Sequence, residues 1–271
     1  MKLGLCNEVL EGYSVEATAE VMKKLGYEGV EIAPYTLARS PRDIDKAERA
    51  RIRHAFTNRG IEIIGIHWIY QSPPGLHIFK RETRDLTFQH TIDCIKLNRD
   101  LGGHVIVVGS PFQRTIPEGM SPKEAWRMAI EFFSKAGDYA YRSGAVIALK
   151  PLPRKSMNFI NKVDEALKLV MEVDSAGLEL MVDTTHADLE EPSITEALRR
   201  AGKNLVHVHA SDREKYPVGT RGIDFPSVLA ALKEIGYGGY VSVETKAWPD
   251  PYIAAKISSE HLKPILTSLK Q

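Results

Sequence analysis

Eight short apolar runs alternate with eight amphipathic stretches along 271 residues. Glycines punctuate the ends of the amphipathic stretches, and no dinucleotide-type glycine fingerprint follows the first run. Together these observations predict an α/β fold, a single (β/α)8 barrel over residues 1–271. A doubly wound open sheet would ask for a GxGxxG turn after its first strand; here that turn reads CNEVLEGYS.

The first strand is LGLCN (3–7), followed by a helical pattern over 14–25 that ends at Gly26. GVEIA (29–33) leads to a helix over 44–59 closed by Gly60, and IEIIGIHW (61–68) to one over 82–101 closed by Gly102. HVIVVG (104–109) precedes a helix over 122–142, and AVIALK (145–150) one over 162–173, with Gly144 and Gly177 beyond their ends. LELMVD (178–183) and LVHVHA (205–210) each lead to a shorter helix, 193–201 and 225–235, ending at Gly202 and Gly236. YVSVET (240–245) and a helix over 253–269 complete the series. Strands are read from short β-branched runs, helices from 3.6-residue periodicity, and the glycines from the left-handed cap that ends many helices.

A hydrophobic content of 43% is ample for a core of this size. Thirty-six basic and 35 acidic residues leave a net charge of +1, which argues against an electrostatic nucleic-acid or membrane-surface binder. Cys6 and Cys94 lack metal-type spacing and read as buried thiols suited to a reducing compartment. No secretory leader and no membrane-length apolar run is evident, so a cytoplasmic protein is expected.

Barrels of this kind place their active sites at the C-terminal ends of the strands, and strand side chains alternate between interior and helix layer. If Ile147, Leu149, Leu180, Val182, Val206, Val208, Val241 and Val243 face the helices, then Lys150, Asp183, His209 and Glu244 face the barrel mouth. The same parity turns Glu31 and His67 inward. A carboxylate, an imidazole and a second carboxylate on successive strands form a plausible divalent-metal set, but the fourth corner is a lysine, which cannot ligate while protonated.

Several segments, in this order and spacing, resemble the xylose isomerase-like TIM barrel superfamily, in its sugar-phosphate isomerase/epimerase branch. They are GYEGVEIAP (26–34), SPPGLHI (72–78), GSPFQR (109–114), KPLPRKSMNFINKVDEAL (150–167), DTTHA (183–187), HVHASD (207–212) and GIDFPSVLAALKEIGYGGYVSVE (222–244). The resemblance implies a sugar isomerase or epimerase with one divalent metal, Mn²⁺, Mg²⁺, Co²⁺ or Zn²⁺, held by carboxylates and a histidine. It implies Asp183, His209 and Glu244 as metal ligands, Glu244 also as acid/base, and His186 as a substrate contact. The family is often oligomeric, so a homo-oligomer is compatible with it.

Departures from the pattern decide how far this reaches. Lys150 stands in KPL where the family usually reads EPL, Ser156 where it often has a substrate-binding glutamate, and Pro153 where many epimerases have asparagine. Three readings of Lys150 stay open: its ammonium replaces the metal; a three-ligand metal survives with Lys150 as a base; or Lys150 forms a Schiff base with a carbonyl substrate.

Other residues have a bland reading beside a functional one. Asp183 equally suits a turn cap, and Glu244 a structural ion pair. His207, one layer below His209, reads as a core histidine. Glu31 and His67 either bind substrate or satisfy barrel hydrogen bonds, and Trp68 is a cavity wall or ordinary packing. Lys215, with Arg213 and Arg221, lies in a loop that either meets an anionic substrate or is solvated, as do Arg154 and Lys155. Gln113 and Arg114, in the long loop after the fourth strand, either reach a substrate or do not, which the sequence leaves open, and SPPGLHI, with His77 at its tip, has the makings of a lid. The expected function is proton transfer at a carbon next to a sugar carbonyl. The alternatives are a metal-free or non-catalytic sugar-binding barrel and a keto-polyol lyase or dehydratase. A DNA-repair nuclease lacks its charge footprint here.

Overall fold

The computed structural model describes residues 1–269. Eight parallel strands close into a barrel in sequence order. They are β1 (Lys2–Cys6), β2 (Gly29–Ile32), β3 (Glu62–Ile66), β4 (Val105–Val108), β5 (Val146–Leu149), β6 (Leu178–Asp183), β7 (Leu205–Ala210) and β8 (Tyr240–Val243). The outer layer comprises α1 (Val15–Leu25), α2 (Lys46–Thr57), α3 (Arg81–Leu101), α4 (Pro122–Arg142), α5 (Val163–Val173), α6 (Thr184–Glu190), α7 (Ile194–Ala201), α8 (Phe225–Glu234) and α9 (Pro251–Ser268). The expected fold class is the observed one.

Local chemistry sets the helix starts. Ser14, Asp45, Ser121, Ser193, Asp224 and Asp250 each accept a backbone N–H of the first turn through their side chains. The strand residues that face outward, such as Ile147, Leu149, Leu180 and Val208, join one continuous core with the inner faces of the helices. Inside the barrel a small separate layer of Val107, Ala148 and Met181 fills the lumen below the mouth.

The differences from the sequence reading lie at element ends and in one additional helix, α6. Lys150 and Glu244 sit one residue beyond β5 and β8. β3 stops at Ile66, because the chain turns through a left-handed Trp68 (φ 52°). α6 is not among the helices expected from the sequence: seven residues are too few to show periodicity, and it leaves β6 directly from an Asp183 cap.

Gly65 shows how tightly β3 and β4 approach. A Cβ there would lie 1.8 Å from the Val105 carbonyl oxygen, its neighbour in the register. Gly65→Ala is therefore expected to lower stability by about 3 kcal/mol, at the upper end of overpacking costs, read as a shift of the denaturation midpoint.

Candidate active site

The β6–β8 register sets Asp183 beside His209, and His209 beside Ser242 just before Glu244. Lys150 enters from β5, and its stem lies over Gly109 at the end of β4. A Cβ on Gly109 would come within 2.9 Å of Lys150 Cδ, so this glycine makes room for the lysine. The backbone carbonyl of Lys150 accepts a 2.7 Å bond from Arg114 Nη2. Arg114 is fully buried and supports the end of β5 rather than lining the cavity, so of its two open readings the supporting one is observed.

Lys150 Nζ stands 2.7 Å from Asp183 Oδ2, 2.8 Å from Glu244 Oε2 and 3.0 Å from His209 Nδ1. Lys215 Nζ meets the same two oxygens, 2.5 Å from Asp183 Oδ2 and in direct contact with Glu244 Oε2. Lys150 is almost wholly buried, whereas the Lys215 side chain keeps 24% of its exposure. Asp183 serves two ends at once: Oδ1 caps α6 by accepting the His186 N–H, while Oδ2 faces the ammoniums. The turn-cap and site readings of this residue therefore coexist.

Below this layer lies Glu31, with no exposure. His207 Nε2 approaches it at 2.5 Å and His209 Nε2 at 2.9 Å. Burial alone would raise the Glu31 pKa, but the two histidines hold it well below the usual carboxylate range. His209 Nε2–H donates to Glu31. The 3.0 Å contact from Lys150 requires a lone pair on Nδ1, so we assign the neutral Nε2–H tautomer, although Glu31 favours the charged ring and its pKa lies above the ordinary value. His207 is a buried partner of Glu31, and Glu31 positions both rings from beneath.

Burial works against the charge on Lys150, yet Asp183 and Glu244 outweigh it and drive its pKa above the ordinary lysine value. Burial would likewise raise the carboxyl pKa of Glu244, but the Lys150 and Lys215 ammoniums hold it well below its usual range, and Asp183 is shifted the same way. His186 is the opposite case: burial, with the two ammoniums nearby, pushes its pKa down to about 3, so the ring is neutral. Its Nδ1 is buried, 3.8 Å from Asp183 Oδ2, and makes no hydrogen bond.

His67 follows β3 at the mouth, with Nε2 2.9 Å from Glu8 Oε2 and Nδ1 3.7 Å from Glu244 Oε1. The Glu8 approach is too oblique for a hydrogen bond, so the attraction is ionic. Burial lowers the pKa of His67, but Glu8, Glu244 and Glu31 outweigh it and bring it to about 10. The folded chain thus holds a proton that the unfolded chain releases near pH 6.5. This contribution to stability is full below about pH 6.5 and is lost as pH rises towards 10. The expected result is a fall in denaturation midpoint across that window, flattened in His67→Gln.

These groups open into a cavity of about 230 Å³ whose other wall is apolar: Trp68, Val107, Pro111 and Leu152. Ser156 and His186 complete the lining. A second cavity of similar volume, between the β1 end and α1–α2, has Glu11 and Tyr35 but no clustered charges, so the chemistry belongs to the barrel mouth.

Glu31, His67, Trp68, Lys150, Asp183, His186, His209, Lys215 and Glu244 are all brought together here: His67, Trp68, Lys150, His186, Lys215 and Glu244 line the cavity, and Asp183, His209 and Glu31 are buried behind them. Glu8 and Gly109 were not anticipated. The loop carrying Lys215 divides: Arg213 pairs outward with Asp188, and Arg221 stacks on Tyr216, while Lys215 turns inward. Asp212 organises that loop by accepting the N–H groups of Arg213, Arg221 and Ile223. Glu214 and Lys215 are both left-handed (φ 58° and 63°), and the Lys215 carbonyl takes the Lys246 N–H beyond β8. His77 is buried and accepts the Phe79 N–H, which corrects its placement at a loop tip.

Asp183, His209 and Glu244 offer one ligand atom each within 4.8 Å of one another, a grouping with the make-up of a metal site. Of three further groupings among the described residues, Glu31, His207 and His209 share His209 with it, Glu8, His67 and Glu244 share Glu244, and Cys6, Glu31 and His67 share none. Lys150 Nζ, however, already makes contacts of 2.7–3.0 Å with all three donors of the first set. An ammonium has no lone pair to give a metal or a carbonyl carbon. With both lysines in place, the donor set does not fit a divalent ion.

The model of the xylose isomerase-like TIM barrel family matches residues 19–264. The chain belongs to this family. It is 25% identical over 250 residues to the 3-dehydro-D-guloside 4-epimerase of Escherichia coli, covering 90% of this chain and 92% of that enzyme. It is 26% identical over 157 residues to the L-ribulose 3-epimerase of Mesorhizobium japonicum, a match spanning about half of that relative (52%). The solved D-psicose 3-epimerase of Clostridium cellulolyticum, with D-tagatose, superposes with a TM-score of 0.86 over 99% of both chains at 22% identity, a likeness of fold. Among the described residues no helix is long and apolar enough to cross a membrane.

Proposed function

We propose that this chain is a sugar epimerase that moves a proton at a carbon next to the carbonyl of a keto-sugar. The observation that carries the reading is the Glu244 carboxylate, set between cations at the lip of a half-apolar cavity. The family relatives support it. A 4-epimerase of a 3-dehydro sugar and a 3-epimerase of a ketulose both invert a carbon adjacent to a carbonyl.

The chemistry follows from the groups present. The apolar wall with Trp68 takes the C–H face of the sugar, and the polar wall takes its oxygens. Glu244 removes the proton. The carbonyl oxygen becomes an enediolate oxygen stabilised by the Lys150 and Lys215 ammoniums, fixed charges aimed where negative charge develops. When a substrate oxygen takes over hydrogen bonds from Lys215, Glu244 loses a counter-charge and becomes more basic. His67, protonated at neutral pH, is the donor available to return a proton, and the proton taken by Glu244 then passes to the His67 ring, whose Nδ1 lies 3.7 Å from Glu244 Oε1, so both groups are restored. Incubation with a panel of keto-hexoses and 3-keto-glycosides tests the reading: one new epimer by NMR is expected, and no product from any of them counts against it.

A second reading, a binding barrel without turnover, is favoured by one observation: both carboxylates of the site are engaged by ammoniums. It predicts saturable sugar binding with no epimer formed.

A further inference from the structure

We propose that Lys150 and Lys215 together replace a divalent cation in this site, so that the chain works without a bound metal. The inference deepens the epimerase reading, on which its catalytic half rests; its metal half is tested separately.

Three observations carry it. Lys150 Nζ is within 3.0 Å of Asp183 Oδ2, Glu244 Oε2 and His209 Nδ1, one atom from each residue of a metal-type donor set. Lys215 Nζ converges on the same two carboxylate oxygens. Two ammoniums bring two positive charges to the two oxygens that would otherwise face the ion, so the site is neutralised without one. The fit of the first lysine is also built into the scaffold: Gly109 clears its stem, and Arg114 holds its backbone carbonyl from within the core.

The two lysines are not equivalent. Lys150 is buried and satisfied by three partners, so it is a fixed charge. Lys215 is a quarter exposed and hangs on a turn with two consecutive left-handed non-glycine residues. It is the cation free to follow a substrate oxygen, as an exchangeable metal ligand site would otherwise do. The division predicts a tightly held electrostatic centre and a second contact that engages only with substrate.

The experiment is metal retention by the purified full chain after incubation with excess Mn²⁺ and desalting, read by mass spectrometry, with loss of the free Mn²⁺ paramagnetic signal as a second readout. Wild type is expected to retain only a trace. Lys150→Glu, which removes a like charge and adds a donor, is expected to bind Mn²⁺ at least roughly a hundredfold more tightly, since unfavourable charge juxtapositions cost several kcal/mol. Stoichiometric Mn²⁺ in wild type, lost in Asp183→Ala, overturns the proposal whether or not Lys150→Glu folds. If Lys150→Glu folds, by its circular dichroism, and still binds no Mn²⁺, the lysine is not what excludes the ion and the proposal fails. Absence of epimer formation with a metal-free wild type would instead sink the epimerase reading and leave the metal result standing.

Discussion

Lys150→Met is expected to lower stability by about 3–5 kcal/mol, because it leaves two buried carboxylates short of a counter-charge. Asp183 Oδ2 and Glu244 Oε2 would keep only Lys215, which is partly exposed and held by a strained turn. The methionine preserves the apolar stem over Gly109, so the loss isolates the ammonium rather than the packing. At roughly 2–4 °C per kcal/mol for a chain of this size class, the denaturation midpoint should fall by about 6 °C or more. Asp183→Asn on the same background should cost less than it does alone, since it removes a charge that has already lost its partner. A midpoint within a degree of wild type would show that the Lys150 contacts contribute nothing to the fold.

Glu244→Gln is expected to reduce epimerisation by about 10²–10⁴-fold while sugar binding persists, the range that general-base removal typically costs. Glutamine keeps the length and one oxygen to accept from the lysines but cannot take a proton. Asp183→Asn provides the contrast: it removes a carboxylate from the same ammonium pair, on the side that caps α6, and should perturb stability more than proton transfer. Equal losses in both variants would mean that Glu244 serves the ammonium cluster and not the reaction.

Much of this arrangement was legible before any coordinates. Alternating strand residues placed Lys150, Asp183, His209 and Glu244 at one mouth, because a closed parallel barrel leaves strand parity no freedom once the outer face is apolar. Glu31 and His67 followed from the same parity, but their roles did not, since these depend on which ring a carboxylate touches across the lumen. Lys215 could be placed only in a loop: its inward turn comes from two left-handed residues and the Asp212 hub, and neither feature has a periodic signature. The role of Arg114 stays open in the sequence, and His77 reads as a loop tip, for the opposite reason. Polar residues in glycine- and proline-rich loops read as surface, yet here the loops fold back and bury them against the β4–β5 end and α3. α6 escaped because about two turns of helix launched from a strand cap look like a turn.

The central claim is that this chain moves a proton at the carbon next to a sugar carbonyl. Solvent-deuterium incorporation tests it most directly: wild-type protein, chelator-treated, with 3-keto-glycosides and keto-hexoses in D₂O, followed by NMR. The account predicts one carbon-bound deuterium beside the carbonyl, appearing with the new epimer and absent with Glu244→Gln. A sugar that binds saturably yet gains no deuterium, across the whole panel, would contradict it.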